Sequence, residues 1–406
     1  MTAEAQAGHT LRRFAVLSHK RFRLLFFANL TSGLGNWLAL IALQVDVYDR
    51  THSGWWVGAL LIANLIPSIA LGLLFGPLVD RLSRKGLMIA SDLGRLAVFC
   101  VLPFAGGATT IVALAIVAGV GNAFFRPAVL AGVPNLVSDR ELPDANAILQ
   151  VVDWGSTALG PLLGGVLVAA SGPHLAYWVN AVTFAVSALL VSGIPARLLQ
   201  SERSVGRGHW KDLREGFLAV RDSRPLFTVL IVWTIAQIAI ASTNLAEIFL
   251  AKKTLSSGDF GFGLLWSASG VGLVIGALIA SRTVSAFGVA TAYSRALLLW
   301  ALGMAATAAA PDIWVAAVAM VVANVGNGVG IVVNITLVQR GAADHVRGRA
   351  LAAIMSVNSL MMLIVFLAAG PATDALGPRA VYSISAGSLV VAAVLGARLL
   401  RADEAA

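Results

Sequence analysis

The stretch GNAFFRPAVL, residues 121–130, sets Arg126 inside a long apolar run, and LQVVDWGSTALGPLLGG sets Asp153 inside the next one. A charge in such a run is costly, so each is expected to find a partner or face water. Arg126 stands roughly ten residues before the end of its run and Asp153 roughly nine residues into its own. On sequential antiparallel helices rising about 1.5 Å per residue, that puts the two at similar depth. They are therefore expected to form an ion pair. Such a pair can be static, or its members can reach separately for water. Alternatively it opens during a cycle, when Asp153 takes a proton or an anionic group claims Arg126.

Neutral polar side chains recur along other apolar runs. Asn29, Asn36 and Gln44 share one helical face, Gln237 and Asn244 another, and Asn324, Asn327 and Asn334 a third; Asn122 and Asn358 lie in further runs. Polar groups at membrane depth either hydrogen-bond neighbouring helices or line a path. Asn29, Asn36, Asn122, Gln237, Asn244, Asn327 and Asn358 are the candidate lining of a polar cavity. Trp37, Trp154 and Trp233 could wall it, or simply pack. Asp46 and Glu247 fall near the outer ends of their runs and are expected to be solvated, with a gate or proton-entry role as the alternative; Asp92 and Arg95 lie close to the inner end of theirs.

Other chemistries are missing. All six histidines lie outside or at the edges of the runs, so no embedded Ser/His or metal constellation is expected. No G-x-x-x-x-G-K-[ST] phosphate loop occurs, which disfavours ATP-driven work. The single Cys100 excludes a disulfide framework within the chain. An intramembrane enzyme and a non-transporting receptor are the unfavoured alternatives.

The elements that must hold these residues follow from composition. The chain is 58% hydrophobic and only 12% charged over 406 residues, with a mean hydropathy of +0.84. Soluble domains carry about twice that share of charge. The expected fold is all-α and integral to the membrane, with twelve transmembrane helices of about 20 residues each. The spans are read at 22–45, 55–79, 86–105, 109–136, 146–171, 174–195, 225–250, 259–280, 288–309, 312–338, 349–372 and 378–400. With the N-terminus inside, 24 of the 29 Lys and Arg fall on the inner side and 4 on the outer, with Arg126 inside a span. That bias sets both termini in the cytoplasm. It also assigns the net charge of +9 to topology and leaves nucleic acid aside as a partner. The basic N-terminal segment lacks the short apolar core of a cleaved leader.

Segment 197–224 is the one long polar stretch, part of it with the spacing of an amphipathic helix. It separates a six-helix bundle, 1–196, from a second, 225–406. VGN at 120–122 returns at 325–327, an offset of 205 that also maps Asp139 onto Asp344. Two related halves of six spans point to a duplicated transporter with its site near the midplane.

GPLVDRLSRK, 76–85, resembles motif A of the major facilitator superfamily, and it falls between spans 2 and 3, where that family carries it. The resemblance implies that Gly76 allows close helix approach and that Asp80 latches the cytoplasmic side against span 11. Arg81, Arg84 and Lys85 would support that latch and anchor the loop. Ser83 stands where the family often has glycine. GPLLGG, with Gly160, Pro161, Gly164 and Gly165, resembles the core of motif C of the antiporter branch, or serves helix packing alone. The stretches 124–149 and 258–278 are similar to the macrolide-efflux and enterobactin-exporter-like subgroup. This implies export and leaves the substrate open. With an acid inside the membrane, the leading expectation is a proton-coupled exporter of a small amphipathic or lipophilic compound, drug-like or siderophore-like, working by alternating access as a monomer in a bacterial inner membrane. The proton gradient would be its energy source, without cofactor or metal. A lysophospholipid or metabolite carrier is the alternative.

Overall fold

The computed structural model of the chain describes residues 15–74, 82–199 and 209–404. These contain helices and no strands: α1 (Lys20–Thr51), α2 (Gly54–Leu74), α3 (Arg84–Val101), α4 (Ala108–Gly132), α5 (Leu142–Ser192), α6 (His209–Asp222), α7 (Arg224–Phe249), α8 (Gly258–Phe287), α9 (Val289–Ala309), α10 (Ile313–Gly341), α11 (Asp344–Leu376) and α12 (Pro378–Glu404). Among the described residues, ten helices are long and apolar enough to cross a bilayer. Helix α5, at 51 residues, is long enough to cross twice, and its backbone breaks at Gly172 (φ 73°, ψ 175°) just before Pro173. Its two legs, together with the apolar α2, bring the crossings among the described residues to twelve. The break is a backbone device. Proline cannot continue the hydrogen-bond ladder, and glycine alone adopts positive φ with extended ψ without strain. The same Gly–Pro pair, Gly377 (φ 79°) and Pro378, separates α11 from α12. That is again an offset of 205.

Local sequence sets the other ends. Ser83 has an ordinary φ of −66° and caps α3, its Oγ accepting from the Gly86 amide at 3.2 Å. A serine there therefore serves without the glycine that the motif A resemblance would favour. Asp312 caps α10, accepting from the amides of Trp314 and Val315 at 2.9 and 3.0 Å.

The chain forms two compact units: Met1–Asp46 with Ala63–Val205, and Val47–Ile62 with Gly206–Ala406. The domain boundary read at 197–224 does not foresee that Val47–Ile62, the end of α1 and the start of α2, packs with the second unit. There the Asp374 carboxylate of α11 accepts from the Gly54 amide at 2.8 and 3.0 Å, capping α2. Gly54 and Gly370 meet so closely that a Cβ on Gly54 would stand 2.4 Å from the Gly370 carbonyl oxygen. Lys252, in the π-helical turn Leu250–Thr254, bridges Asp49 at 2.5 Å and Asp259 at 2.6 Å.

The first unit is cored at one end by Phe22, Leu25, Met88, Phe125, Val129 and Leu149. Glycines set the closest helix approaches. A Cβ on Gly160 would lie 2.5 Å from Trp37 Cβ, and one on Gly164 would lie 3.1 Å from the Leu38 backbone. GPLLGG is thus the seam between α5 and α1, with Pro161 and Gly165 buried beside it. The amphipathic linker forms α6, which docks on α11 through Gly216 and a Glu215–Arg349 ion pair.

Candidate functional site

In the first unit, α4 delivers Arg126 and α5 delivers Asp153. Arg126 Nη2 lies 2.9 Å from Asp153 Oδ2, with the arginine side chain 59% exposed and the aspartate 22%. Asn29 of α1 donates its Nδ2 to Asp153 Oδ1 at 3.5 Å. Thr157, one turn on, bonds the Asp153 carbonyl at 2.9 Å. Three helices therefore converge on one carboxylate. An accessible guanidinium at this depth needs water beside it, not hydrocarbon. Trp154 follows directly on α5, half-buried.

A second polar network lies deeper. Asn36 donates to Asn122 Oδ1 at 3.4 Å, and the Arg95 guanidinium donates to Asn36 Oδ1 at 3.4 Å. Arg95 is 1% exposed and its partner Asp92 0%, with Nη2 and Oδ1 at 2.5 Å. The guanidinium also lies over the rings of Phe125 (4.8 Å) and Phe184 (4.2 Å). Both charges, read from the sequence as lying close to a span end, belong to the core of the unit. The available signal was the i, i+3 spacing of opposite charges on one face of an otherwise apolar helix.

Asp46 and Glu247 are corrected in the same way. They are 4% and 2% exposed rather than solvated. Tyr177 donates to Asp46 Oδ2 at 2.9 Å, while Glu247 Oε1 meets no hydrogen-bond partner among the described residues.

In the second unit the candidate polar lining residues are amides. Asn327 donates to Asn324 Oδ1 at 3.2 Å, and Asn324 to the Met320 carbonyl at 3.0 Å. Asn327 thus bonds within α10, and Asn324 packs against Gly272 of α8. Gln237 is buried, and its Oε1 meets no partner among the described residues; Asn244 is half-buried. Trp233 and Asn358 do line a common cavity, joined there by Asn334. Trp37 packs on Gly160.

Of the motif A residues, Gly76, Asp80 and Arg81 lie outside the described residues. Arg84 donates to the carbonyls of Ala131 (2.8 Å) and Leu199 (3.3 Å), and Lys85 to that of Ser192 (2.6 Å). Two of these carbonyls terminate α4 and α5, where a cation meets the negative end of the helix dipole. Among the described residues, no cluster of His, Cys, Asp and Glu is arranged to hold a metal.

Comparison with known proteins agrees with this architecture. A family model described as transmembrane secretion effector matches residues 11–405. The chain is 28% identical over 408 residues to the multidrug efflux pump Tap of Mycolicibacterium fortuitum, covering 94% of this chain and 96% of the pump. It is 25% identical to the putative bacilysin exporter BacE of Bacillus subtilis (80% and 82% covered). It is 23% identical to the uncharacterized MFS-type transporter YfiS of the same organism, where the match spans 65% of this chain and 64% of that one. Among solved structures, a bacterial homologue of the iron transporter ferroportin in its inward-facing state superposes with a TM-score of 0.75 at 15% identity, covering 93% and 98%. The nucleoside transporter NupG superposes at 0.73 and 15%, covering 94% and 99%. Twelve apolar crossings in a duplicated arrangement and a match along nearly the whole length have one reading: the chain is a multi-pass membrane transporter and belongs to the transmembrane secretion effector family of the major facilitator superfamily.

Proposed function

We propose that the protein is a proton-coupled exporter of a small amphipathic or lipophilic compound, working by alternating access. The observation that carries this reading is the Arg126–Asp153 pair, closed at 2.9 Å yet accessible on the arginine side. Protonation of Asp153 would remove the charge that holds Arg126 and free Asn29 from its carboxylate. Loss of the proton would close the pair again. An acid that changes partners with its charge state is what coupling a proton to substrate release requires. The export direction is supported by the efflux pump and exporter among the similar proteins. The 24:4 distribution of Lys and Arg supports a bacterial inner membrane location with both termini in the cytoplasm. The proton gradient then supplies the energy without a cofactor, and one chain holds both units of the machine, which suits a monomer.

The test is accumulation of a lipophilic fluorescent dye in cells expressing the chain, with and without an uncoupler. Wild-type protein should lower accumulation, and both the uncoupler and Asp153→Asn should abolish the difference. If Asp153→Asn and Arg126→Ala each leave efflux and its pH dependence intact, the coupling role is wrong. Flux that survives the uncoupler would instead favour a facilitator or a lysophospholipid carrier.

A further inference from the structure

The second unit contains a cavity of about 150 Å³ between α7, α10 and α11. A cavity of that volume lined by apolar groups holds a benzene-sized ring. Its walls include Trp233, Ile335, Ile354 and Met355, and its only hydrogen-bonding amides are Asn334 and Asn358; none of its lining residues is charged. Both amides are 8% exposed.

Their orientation is fixed from behind. The hydroxyl of Tyr293, itself fully buried, donates to Asn334 Oδ1 at 2.6 Å. That distance is characteristic of O–H···O and short for N–H···O, so it is the amide oxygen that faces Tyr293. Asn334 Nδ2 is then left without a partner among the described residues. Thr234 likewise donates to Asn358 Oδ1 at 3.2 Å. In both side chains the acceptor is occupied and the donor remains. A buried N–H donor without a partner costs about 1–3 kcal/mol, a cost that a ligand acceptor can remove.

We infer that this cavity is a substrate subsite that takes an uncharged apolar ring bearing a hydrogen-bond acceptor, a carbonyl or ether oxygen, with the Asn358 and Asn334 side-chain amides as its donors. The inference rests on the transport reading and names the class of substrate: neutral lipophiles rich in acceptors, in preference to lipophilic cations. Nothing in the lining would neutralise a cation. Trp233 and the aliphatic walls supply the apolar contact, and Tyr293 is a positioning residue that fixes the Asn334 amide.

The experiment is equilibrium binding of tritiated progesterone to the purified full chain. Its polar atoms are two carbonyl oxygens, and one of its rings is of a size to enter. Competitors are 5β-pregnane, the same skeleton without oxygens, and tetraphenylphosphonium, a lipophilic cation. Wild-type protein should bind progesterone saturably and prefer it to both competitors. Asn334→Leu should weaken progesterone by roughly tenfold and leave pregnane competition unchanged. Tyr293→Phe should weaken progesterone less, with pregnane again unchanged. Asn358→Leu provides a second variant should Asn334→Leu unfold. Undiminished progesterone binding in folded Asn334→Leu and Asn358→Leu would overturn the inference and reduce the cavity to an apolar surface, such as one covered by a lipid chain. So would absence of saturable binding, or equal preference for the cation. Binding is read without a proton gradient, so its failure leaves the efflux test of Asp153 standing, and the reverse also holds.

Discussion

Arg95 of the first unit and Trp300 of the second are separated by the repeat offset, and each is 1% exposed. Each lies on the third helix of its half and presses on a glycine of the fourth. A Cβ on Gly121 would stand 2.9 Å from Arg95 Cγ, and one on Gly326 would stand 2.7 Å from the Trp300 amide nitrogen. The same helix crossing therefore accommodates a guanidinium paired to Asp92 in one unit and an indole beside Trp233, 6.2 Å between ring centroids, in the other. The residue matching Asp92 is Leu297, and the one matching Phe125 is Gly330, over which Trp233 packs. At this crossing the first unit keeps charge and the second has aromatic surface and an apolar residue instead, although the second unit buries a carboxylate elsewhere, Glu247 at 2% exposed. A buried ion pair contributes little net stability compared with a packed apolar pair, so stability does not explain its retention. The contrast shows that one helix crossing, set by a glycine, can be filled by an ion pair in one unit and by aromatic packing in the other.

The largest expected effect comes from breaking the charged side of this comparison. Arg95→Met leaves Asp92 buried and alone, and should cost about 3–5 kcal/mol. Thermal unfolding of the purified protein measures this, and adding Asp92→Leu should recover most of the loss. If the single and double variants unfold alike, the pair is not coupled as described. Trp300→Phe, which keeps an aromatic ring at the matching position, should cost less than Arg95→Met.

Glycine seams come next. Gly160→Ala pushes on Trp37 and Gly303→Ala on the Ala323 backbone, where a Cβ would meet the nitrogen at 2.4 Å. Overpacking of this kind costs about 1–3 kcal/mol. The second-unit variant should be the worse, because a backbone yields less readily than a side chain. Equal midpoints would show that both seams relax.

The smallest effect concerns a surface difference. Glu141 accepts from Ser138 Oγ (2.7 Å) and N (3.2 Å) and pairs with His19 (2.9 Å). The Ser138 hydroxyl bond, then the His19 bond, hold its carboxyl down at about 2. The second unit has Ala343 and Val346 at the matching positions. A depressed carboxylate contributes stability above its ordinary range and loses it as pH falls toward the folded value. Glu141→Gln should therefore lower the unfolding midpoint slightly at neutral pH, and the gap should start to narrow at about pH 4 and close toward about pH 2. A gap independent of pH would remove the electrostatic explanation.

Span count and the meeting of Arg126 with Asp153 were legible in the sequence because hydropathy and rise per residue are one-dimensional quantities. What lies around a helix was not. Periodicity grouped Asn324, Asn327 and Asn334 on one face, but it could not tell that the first two bond along α10 while the third opens on a cavity. Asp92 and Arg95 read as a span end because a self-paired i, i+3 couple leaves little mark on hydropathy. Asp46 and Glu247 read as wet for the same reason: sequence position along a helix says nothing about which neighbours cover it.

Gly172 and Gly377 have open space where a Cβ would stand, with nothing within 4 Å. Their requirement is therefore one of handedness alone. An L-alanine at either site is held in strain of about 1–3 kcal/mol, whereas D-alanine, whose allowed map is the mirror image, fits the same φ and ψ. In a semisynthetic chain the two stereoisomers would have opposite effects at the two breaks, so the duplicated bend of this transporter is encoded in chirality rather than in packing.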